Sequence, residues 1–419
     1  MRTLFVWAVI AGCNGADEEP GDGDAPPVDP TPVDGPTFVD DVRPMLAGTC
    51  VRCHGPSLLA PTDFLDYEVA KAWAEVMIHR VEAGEMPPAA ADPDCHPYQG
   101  DEVMTVSDEL VPTLRAWVAA GTPSGDLTKP NTVAPWVPPV LPRHDVELRT
   151  AGPYVPEFVD GNEYRCFLLD DDVDATFVTG IEFLMDRPEI SHHALLFVDP
   201  DGGSEQLVED SVSRSWRCPD VQPEPEWSAF HAWAPSGGAV ELDEGLGLRI
   251  TQGSQLILQM HYFEQGEADV GDQPGYALML ADQVQEEMYY LPVGPDTFTI
   301  PAGAASHTET LSFKVSDWFG QSELHVYGVM PHMHVLGTGY DFSGSSCISR
   351  SDSYDFAMQP TYWFDEPVVF LPGQRLSVSC TYDNSADNPR QLFDPPVDVS
   401  WGEDTQQEMC YALMYGVLR

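Results

Sequence analysis

From Val146 to Arg419 the chain alternates short apolar segments with turn residues. TFVTGIEFLM, QLILQMHYF, YALMLA, ELHVYGVM, PVVFLP, RLSVSCTY and CYALMYGVL are separated by Gly, Pro, Asn and Asp. Short apolar segments bounded by such residues predict β-strands, and strands at this regular spacing predict sandwiches. Residues 146–419 exceed what one sandwich needs, so two are expected, over 146–285 and 286–419.

The pattern differs before Val146. Tyr67 to Ala83 carries apolar residues at helical spacing, and ELVPTLRAWVAAGTP reads as a second helix. These fall in a segment, 37–125, expected to be a small all-α domain. Residues 126–145 are Pro-rich with neither period, which predicts a semi-rigid linker. The fold class expected is therefore mainly β: two tandem antiparallel β-sandwiches, jelly-roll-like, behind a small helical domain.

The N-terminus adds a targeting signal. MRTLFVWAVIAGC holds one Arg, a short apolar run and then Ile-Ala-Gly-Cys. The run is too short to span a bilayer. It resembles a bacterial lipoprotein signal over residues 1–13, which implies lipidation of Cys13. Residues 14–36 are acidic and rich in Pro, Gly and Asp, as in a disordered tether. The expectation is an exported protein, held by its lipid in the periplasm or on the outer membrane or cell surface. Its only membrane contact would be that anchor, and disulfides are permitted there.

Charge narrows the partners. The 419 residues carry a formal net charge of −49, with 19 Lys and Arg against 68 Asp and Glu. Such a surface repels nucleic acid and anionic lipid. It favours solubility and names no partner of its own.

CVRCHG places Cys50, Cys53 and His54 in a Cys-x-x-Cys-His motif. This is the attachment signature of c-type haem, with two thioethers to the ring and His54 on the iron. A zinc ribbon would need a second Cys-x-x-Cys, which the chain lacks. Residues 37–125 resemble a small cytochrome c, and that resemblance implies Met86, in GEMPP, as the sixth ligand. A thioether there raises the reduction potential. His79 and His96 are rival ligands, His79 being the more surface-like.

Histidines mark the later strands. ISHHALLF carries His192 and His193, LILQMHYF carries His261, and MPHMHVLG carries His332 and His334. Residues two apart on a strand face the same side, so His332 and His334 form half of a metal site. Alone, a His-x-His pair suits zinc, iron or copper equally. A lone His such as His261 is more commonly a packed core residue. His231 and His325 are read as packed, His307 as a loop residue, and Trp227 and Trp233 as core.

Residues 146–419 resemble the copper type II, ascorbate-dependent monooxygenases, which include peptidylglycine α-hydroxylating monooxygenase and dopamine β-monooxygenase. YRCF, SHHALLF, AWAPSGGAVELDEGLGLRI, LQMHYF, MPHMHVLG, CTYDNS and EMCYALMYG carry the resemblance, in family order. It implies two copper ions. One would be held by His192, His193 and His261, which stores and delivers an electron. The other would be held by His332, His334 and Met409, where O2 reacts with a substrate C–H bond. A thioether favours Cu(I) and is seldom a zinc ligand, which agrees with copper at Met409. The resemblance also pairs Cys166 with Cys218 and Cys380 with Cys410. Of the nine cysteines this leaves Cys95 and Cys347 either bonded to each other across domains or as thiols. Gln259 matches a family position between the sites.

Two positions depart from the peptidylglycine enzyme. Met330 stands where an Arg helps bind the substrate carboxylate, and Tyr411 replaces an Asn after the Met ligand. Neither can clamp a carboxylate in bidentate fashion. The expected function is hydroxylation of a small organic substrate by O2, with one haem c passing electrons to the His192/His193/His261 copper. The donor would be ascorbate or a periplasmic redox protein. The alternative is a haem and copper electron-transfer or copper-binding lipoprotein without monooxygenase activity.

Overall fold

The computed structural model describes residues 35–419, except 56–61, 88–89, 102–105, 135–136, 160, 170–172, 174–175, 219–226, 234–236, 252, 264–269, 357–358 and 403–405. The expected lipoprotein signal with Cys13, and nearly all of the acidic tether, lie outside the described residues. Among the described residues no helix is long and apolar enough to cross a membrane.

The helical segment comes first. A helical turn at Phe38–Val42 leads into α1 (Arg43–Thr49), followed by α2 (Tyr67–Glu82) and α3 (Leu110–Ala119). Asp66 caps α2, its carboxylate accepting from the Val69 amide at 3.0 Å. Gly84, at φ 69°, lets the chain turn after the helix ends. Ala70, Ala74, Met77 and Ile78 of α2 pack on Leu110, Leu114 and Trp117 of α3 and on Phe38 and Leu46. These residues recur three and four apart, as the amphipathic spacing required.

Strands follow from Val146. They are β1 (Val146–Arg149), β2 (Asn162–Leu168), β3 (Phe177–Leu184), β4 (Ser191–Asp199), β5 (Ser215–Arg217), β6 (Ser228–Trp233), β7 (Val240–Glu241), β8 (Leu246–Arg249), β9 (Gln255–Phe263) and β10 (Gly275–Ala281). After these come β11 (Glu286–Val293), β12 (Thr299–Ile300), β13 (His307–Lys314), the short α4 (Val315–Phe319), β14 (Leu324–His332), β15 (Gly337–Gly344), β16 (Cys347–Ser351), β17 (Tyr362–Phe370), β18 (Arg375–Tyr382), β19 (Val399–Ser400) and β20 (Tyr411–Leu418).

The largest sheet has nine strands in the order β1-β10-β3-β8-β11-β20-β14-β17, with β7 beside β3. It runs unbroken through both halves of the β region, because β11 pairs β8 in parallel and β20 antiparallel. A five-stranded sheet, β5-β2-β9-β4-β6, faces its first half, and a four-stranded sheet, β13-β18-β15-β16, faces its second. Each facing pair encloses a separate core. Phe167, Leu196, Leu258, Val178 and Leu278 lie in the first. Val326, Val329, Phe342, Val378 and Met414 lie in the second. Tyr415 and Val417 of β20 reach into the first core from the second half, so the halves are packed together rather than strung apart. The structure is thus mainly β, with several antiparallel sheets.

Among the described residues three disulfides staple it: Cys166–Cys218, Cys380–Cys410 and Cys95–Cys347. The first two are the pairs the resemblance implied. The third settles the alternative left open by the sequence, and it joins the helical segment to β16.

Candidate metal centres

His192, His193 and His261 come together at one end of the five-stranded sheet, with a ligand nitrogen from each within 4.8 Å of the others. His193 lies opposite His261 across the β4–β9 ladder. Consecutive residues on a regular strand would face opposite sides. Here the register shifts between Ser191 and His193, so His192 is an extra, bulged residue and both imidazoles turn to the same side. The Nδ1 atoms of His192 and His261 lie 3.2 and 3.3 Å from Nδ1 of His193. The Tyr164 ring stacks on His261 at 4.2 Å.

Burial keeps these rings neutral. It drives His193 far below the usual histidine range, with His261, His192 and His332 adding to the effect. Burial takes His261 down to about 3, helped by His192. It also lowers His192, against the opposing charge of Asp355. Three converging nitrogens cannot all satisfy one another by sharing protons, whereas one cation satisfies all three. The residues therefore fit a metal ion with three imidazole ligands. His332 and Asp355, from the second half, thus act electrostatically on histidines of the first.

His332 closes β14, and His334 follows just beyond it; their rings are 5.2 Å apart and almost perpendicular. His332 donates Nδ1–H to Gln359 Oε1 at 2.7 Å, and His334 Nδ1–H to the Gln407 carbonyl at 3.1 Å. Both bonds fix the tautomer that leaves Nε2 as the basic nitrogen. The Nε2 atom of His332 is buried and has no hydrogen-bond partner. Burial pushes this ring down to about 3, with His334 adding to it and Gln359 opposing it. An orphaned, neutral, buried nitrogen is what a metal ligand looks like without its metal.

Met409 is buried and reaches the same end of the sheet, two residues before Tyr411, which pairs His332. It is held from both sides. Cys410 is bonded to Cys380, and the Met409 carbonyl accepts from the Tyr382 hydroxyl at 2.7 Å. Glu408 accepts the His334 amide at 2.8 Å and the Leu336 amide at 2.6 Å. Two imidazoles with a thioether form a soft set suited to copper, Cu(I) above all.

Sequence reasoning missed Glu408, Gln359 and Tyr354. Glu408 had one visible signal, an acid at the threshold of the buried run MCYALMYG. Gln259 shares a face with His261, but its amide lies 3.6 Å from the Cys218 sulfur. His231 is a core residue, against the Tyr276 hydroxyl at 3.3 Å.

The third constellation lies in the helical segment. Cys50, Val51 and Arg52 form a tight turn, and the His54 amide donates to the Cys50 carbonyl at 2.9 Å. Neither Cys50 nor Cys53 is in a disulfide, though the other six described cysteines all are. Burial and the neighbouring Cys53 push the Cys50 thiol up to about 12. His54 Nδ1 lies 2.6 Å from Thr62 Oγ1, and its ring stacks on Phe64 at 4.5 Å. This fixes Nδ1 and points the chemistry to Nε2. Two thiols and an oriented imidazole fit a covalently held haem. Met86 is 38% exposed after α2, and no described contact joins it to His54. His79 is exposed. His96 is engaged elsewhere, donating to the Glu366 carbonyl at 3.2 Å.

Residues 292–416 match the family model of the copper type II ascorbate-dependent monooxygenase C-terminal domain. The match covers His332, His334 and Met409. DBH-like monooxygenase protein 2 of Homo sapiens is 27% identical over 189 residues, 41% of this chain and 36% of that one. Its Mus musculus counterpart is 23% identical over 202 residues, 44% and 31% of the two chains. The chain thus spans about a third of the length of these curated relatives. Among solved structures, that of the infectious bursal disease virus Gx strain is 10% identical, covers 67% of this chain and 75% of that one, and has a TM-score of 0.18, too low to inform the fold.

Proposed function

We propose that the protein is a copper-dependent monooxygenase that places one oxygen atom of O2 into a C–H bond of a small organic substrate. One observation carries this reading: the buried, partnerless Nε2 of His332, beside His334 and next to the strand that brings Met409, inside the region matching the family model. When bound, copper supplies O2 binding and one-electron chemistry. His332, His334 and Met409 hold one ion, and His192, His193 and His261 hold the other. Gln359 and the Gln407 carbonyl orient the two imidazoles, and Glu408 fixes the backbone around His334 and Met409.

The substrate side follows from Met330 and Tyr411. Met330 is two residues before His332 on β14, and Tyr411 lies opposite His332 on β20, so all three belong to one face. A thioether and a phenol favour a neutral or weakly polar substrate over a carboxylate. In this reading Cys50, Cys53 and His54 carry a c-type haem that supplies electrons, with Met86 available as a second ligand. The physiological donor is ascorbate or a periplasmic redox protein, and Cys13 anchors the exported chain by lipid.

The test is oxygen uptake by the copper-loaded, haem-bearing protein with ascorbate, over a panel of neutral and carboxylate-bearing substrates, using isotopically labelled O2. Substrate-dependent uptake with one labelled atom in a hydroxylated product supports the proposal. Uptake independent of every substrate, with no labelled product, refutes it.

A further inference from the structure

The loop between α2 and α3 does not stay with the helices. Residues 90–101 lie on the second half of the β region. Cys95 is bonded to Cys347 of β16. The Asp92 amide donates to the Arg350 carbonyl and the Gln99 amide to the Trp363 carbonyl, both at 2.7 Å. His96 packs edge-on to Phe364 of β17 at 4.7 Å. Ala91 and Tyr98 are buried in the core that this half encloses. One covalent bond, two backbone hydrogen bonds and shared core are too much for a passing contact; they fix this loop of the helical segment to β16 and β17.

Tyr98 begins a file of buried phenols. Its ring meets Tyr362 at 4.7 Å. The Tyr362 and Tyr340 hydroxyls are hydrogen-bonded to each other. Tyr340 faces Tyr354 at 6.5 Å. The Tyr354 hydroxyl donates to the Met333 carbonyl at 2.6 Å and accepts the Met333 amide at 3.1 Å. Met333 is the residue between His332 and His334. At the other end of the file, burial raises the phenols of Tyr98 and Tyr362, and Arg52 of the Cys-x-x-Cys turn is near enough to oppose both shifts. The file therefore runs from the docked 90–101 loop, within reach of the Arg52 charge, to the backbone holding the two histidines.

We infer that the 90–101 loop docks the Cys50/Cys53/His54 module onto the second half of the β region, and that Tyr98, Tyr362, Tyr340 and Tyr354 bridge electron transfer between that module and the His332/His334/Met409 centre. The inference rests on the proposed haem and copper chemistry. It places electron entry at the Met409 centre, whereas the sequence led us to expect entry at His192/His193/His261. One electron leaves ferrous haem iron, which becomes ferric, and reduces cupric to cuprous copper; no bond forms or breaks and no proton is required. The phenols serve as the medium and are not themselves oxidised.

The test uses the full chain, matured with haem and loaded with cupric copper, without oxygen. A flash-generated flavin semiquinone reduces the haem, and loss of the ferrous absorption is followed. The decay should persist in His193→Ala and slow about tenfold or more in His334→Ala. Tyr98→Leu should slow it similarly while the haem spectrum and copper EPR stay unchanged, and Tyr98→Phe, which keeps the ring, should restore it. Decay that survives His334→Ala but is lost in His193→Ala overturns the route alone, as does a Tyr98→Leu rate equal to wild type. Mature protein without haem or copper overturns the route together with the function it rests on.

Discussion

The amide of His334 donates to the Glu408 carboxylate at 2.8 Å. The residue before one candidate ligand thus holds the backbone of another, 74 positions away in sequence. The second Glu408 oxygen takes the Leu336 amide, so the turn after β14 is closed by a single side chain. Glu408 is buried, and its environment pushes its carboxyl up to about 8, burial outweighing the amides that favour its charge.

Removing this side chain should loosen the centre. Glu408→Ala leaves two buried amides without partners, a loss of about 2 kcal/mol after the relief of a buried acid is counted. Cu(I) affinity at the Met409 centre should fall about tenfold, as when an outer hydrogen bond to a ligand is lost. Chemical denaturation and chelator competition measure these two effects. The His192/His193/His261 centre should keep its Cu(II) EPR signal.

Gln359 acts through the His332 ring. Its amide oxygen holds Nδ1–H at 2.7 Å and so directs Nε2 inward. Gln359→Leu should weaken copper at that centre about 10- to 100-fold. Gln359→Glu, which retains the acceptor, should largely restore it. Copper titration of both variants checks this.

The sequence made the periodic parts legible. The α2 and α3 faces and the strands around His261 and His332 followed from spacing, and the clustering of His192, His193 and His261 from the family resemblance. What escaped depended on contacts remote in sequence. The parallel β8–β11 pairing, which runs one sheet through both halves, leaves no trace in alternation. The Cys95–Cys347 bond spans 252 positions, and with two cysteines left over, arithmetic alone could not decide it. The bulge at His192 was equally silent, since two adjacent histidines on a regular strand would diverge.

The disulfides differ in what they secure. Cys380–Cys410 encloses a separation of 30 residues, and Cys410→Ser should cost about 3–4 kcal/mol by loop entropy. It should also lower Cu(I) affinity, since Met409 adjoins the bond. Cys95→Ser should cost about 5 kcal/mol at most and leave Cu(I) affinity unchanged. Denaturation curves with copper titrations separate the two.

In the metal-free protein His231 and Asp272 give stability opposing pH slopes over a shared interval. Burial depresses His231 to about 3. Below the ordinary histidine value of 6.5 the unfolded chain takes up a proton that the folded one refuses, so stability falls as pH drops from 6.5 towards 3. Burial raises the Asp272 carboxyl from 3.8 to about 7, so over that interval the folded state holds the extra proton and stability falls as pH rises. Between 3.8 and 6.5 the two oppose each other, so His231→Gln should tilt the melting temperature there towards falling as pH rises, and Asp272→Asn towards falling as pH drops.

The central claim is that this scaffold holds two copper centres of different composition. Copper analysis with EPR and X-ray absorption on wild type, His193→Ala and Met409→Ala tests it most directly. The account predicts two coppers per chain in wild type and loss of the three-imidazole signal in His193→Ala. In Met409→Ala it predicts loss of Cu–S scattering from the reduced protein while the other centre is intact. A single copper, or zinc at His332 and His334, or reduced protein without Cu–S scattering, would contradict it.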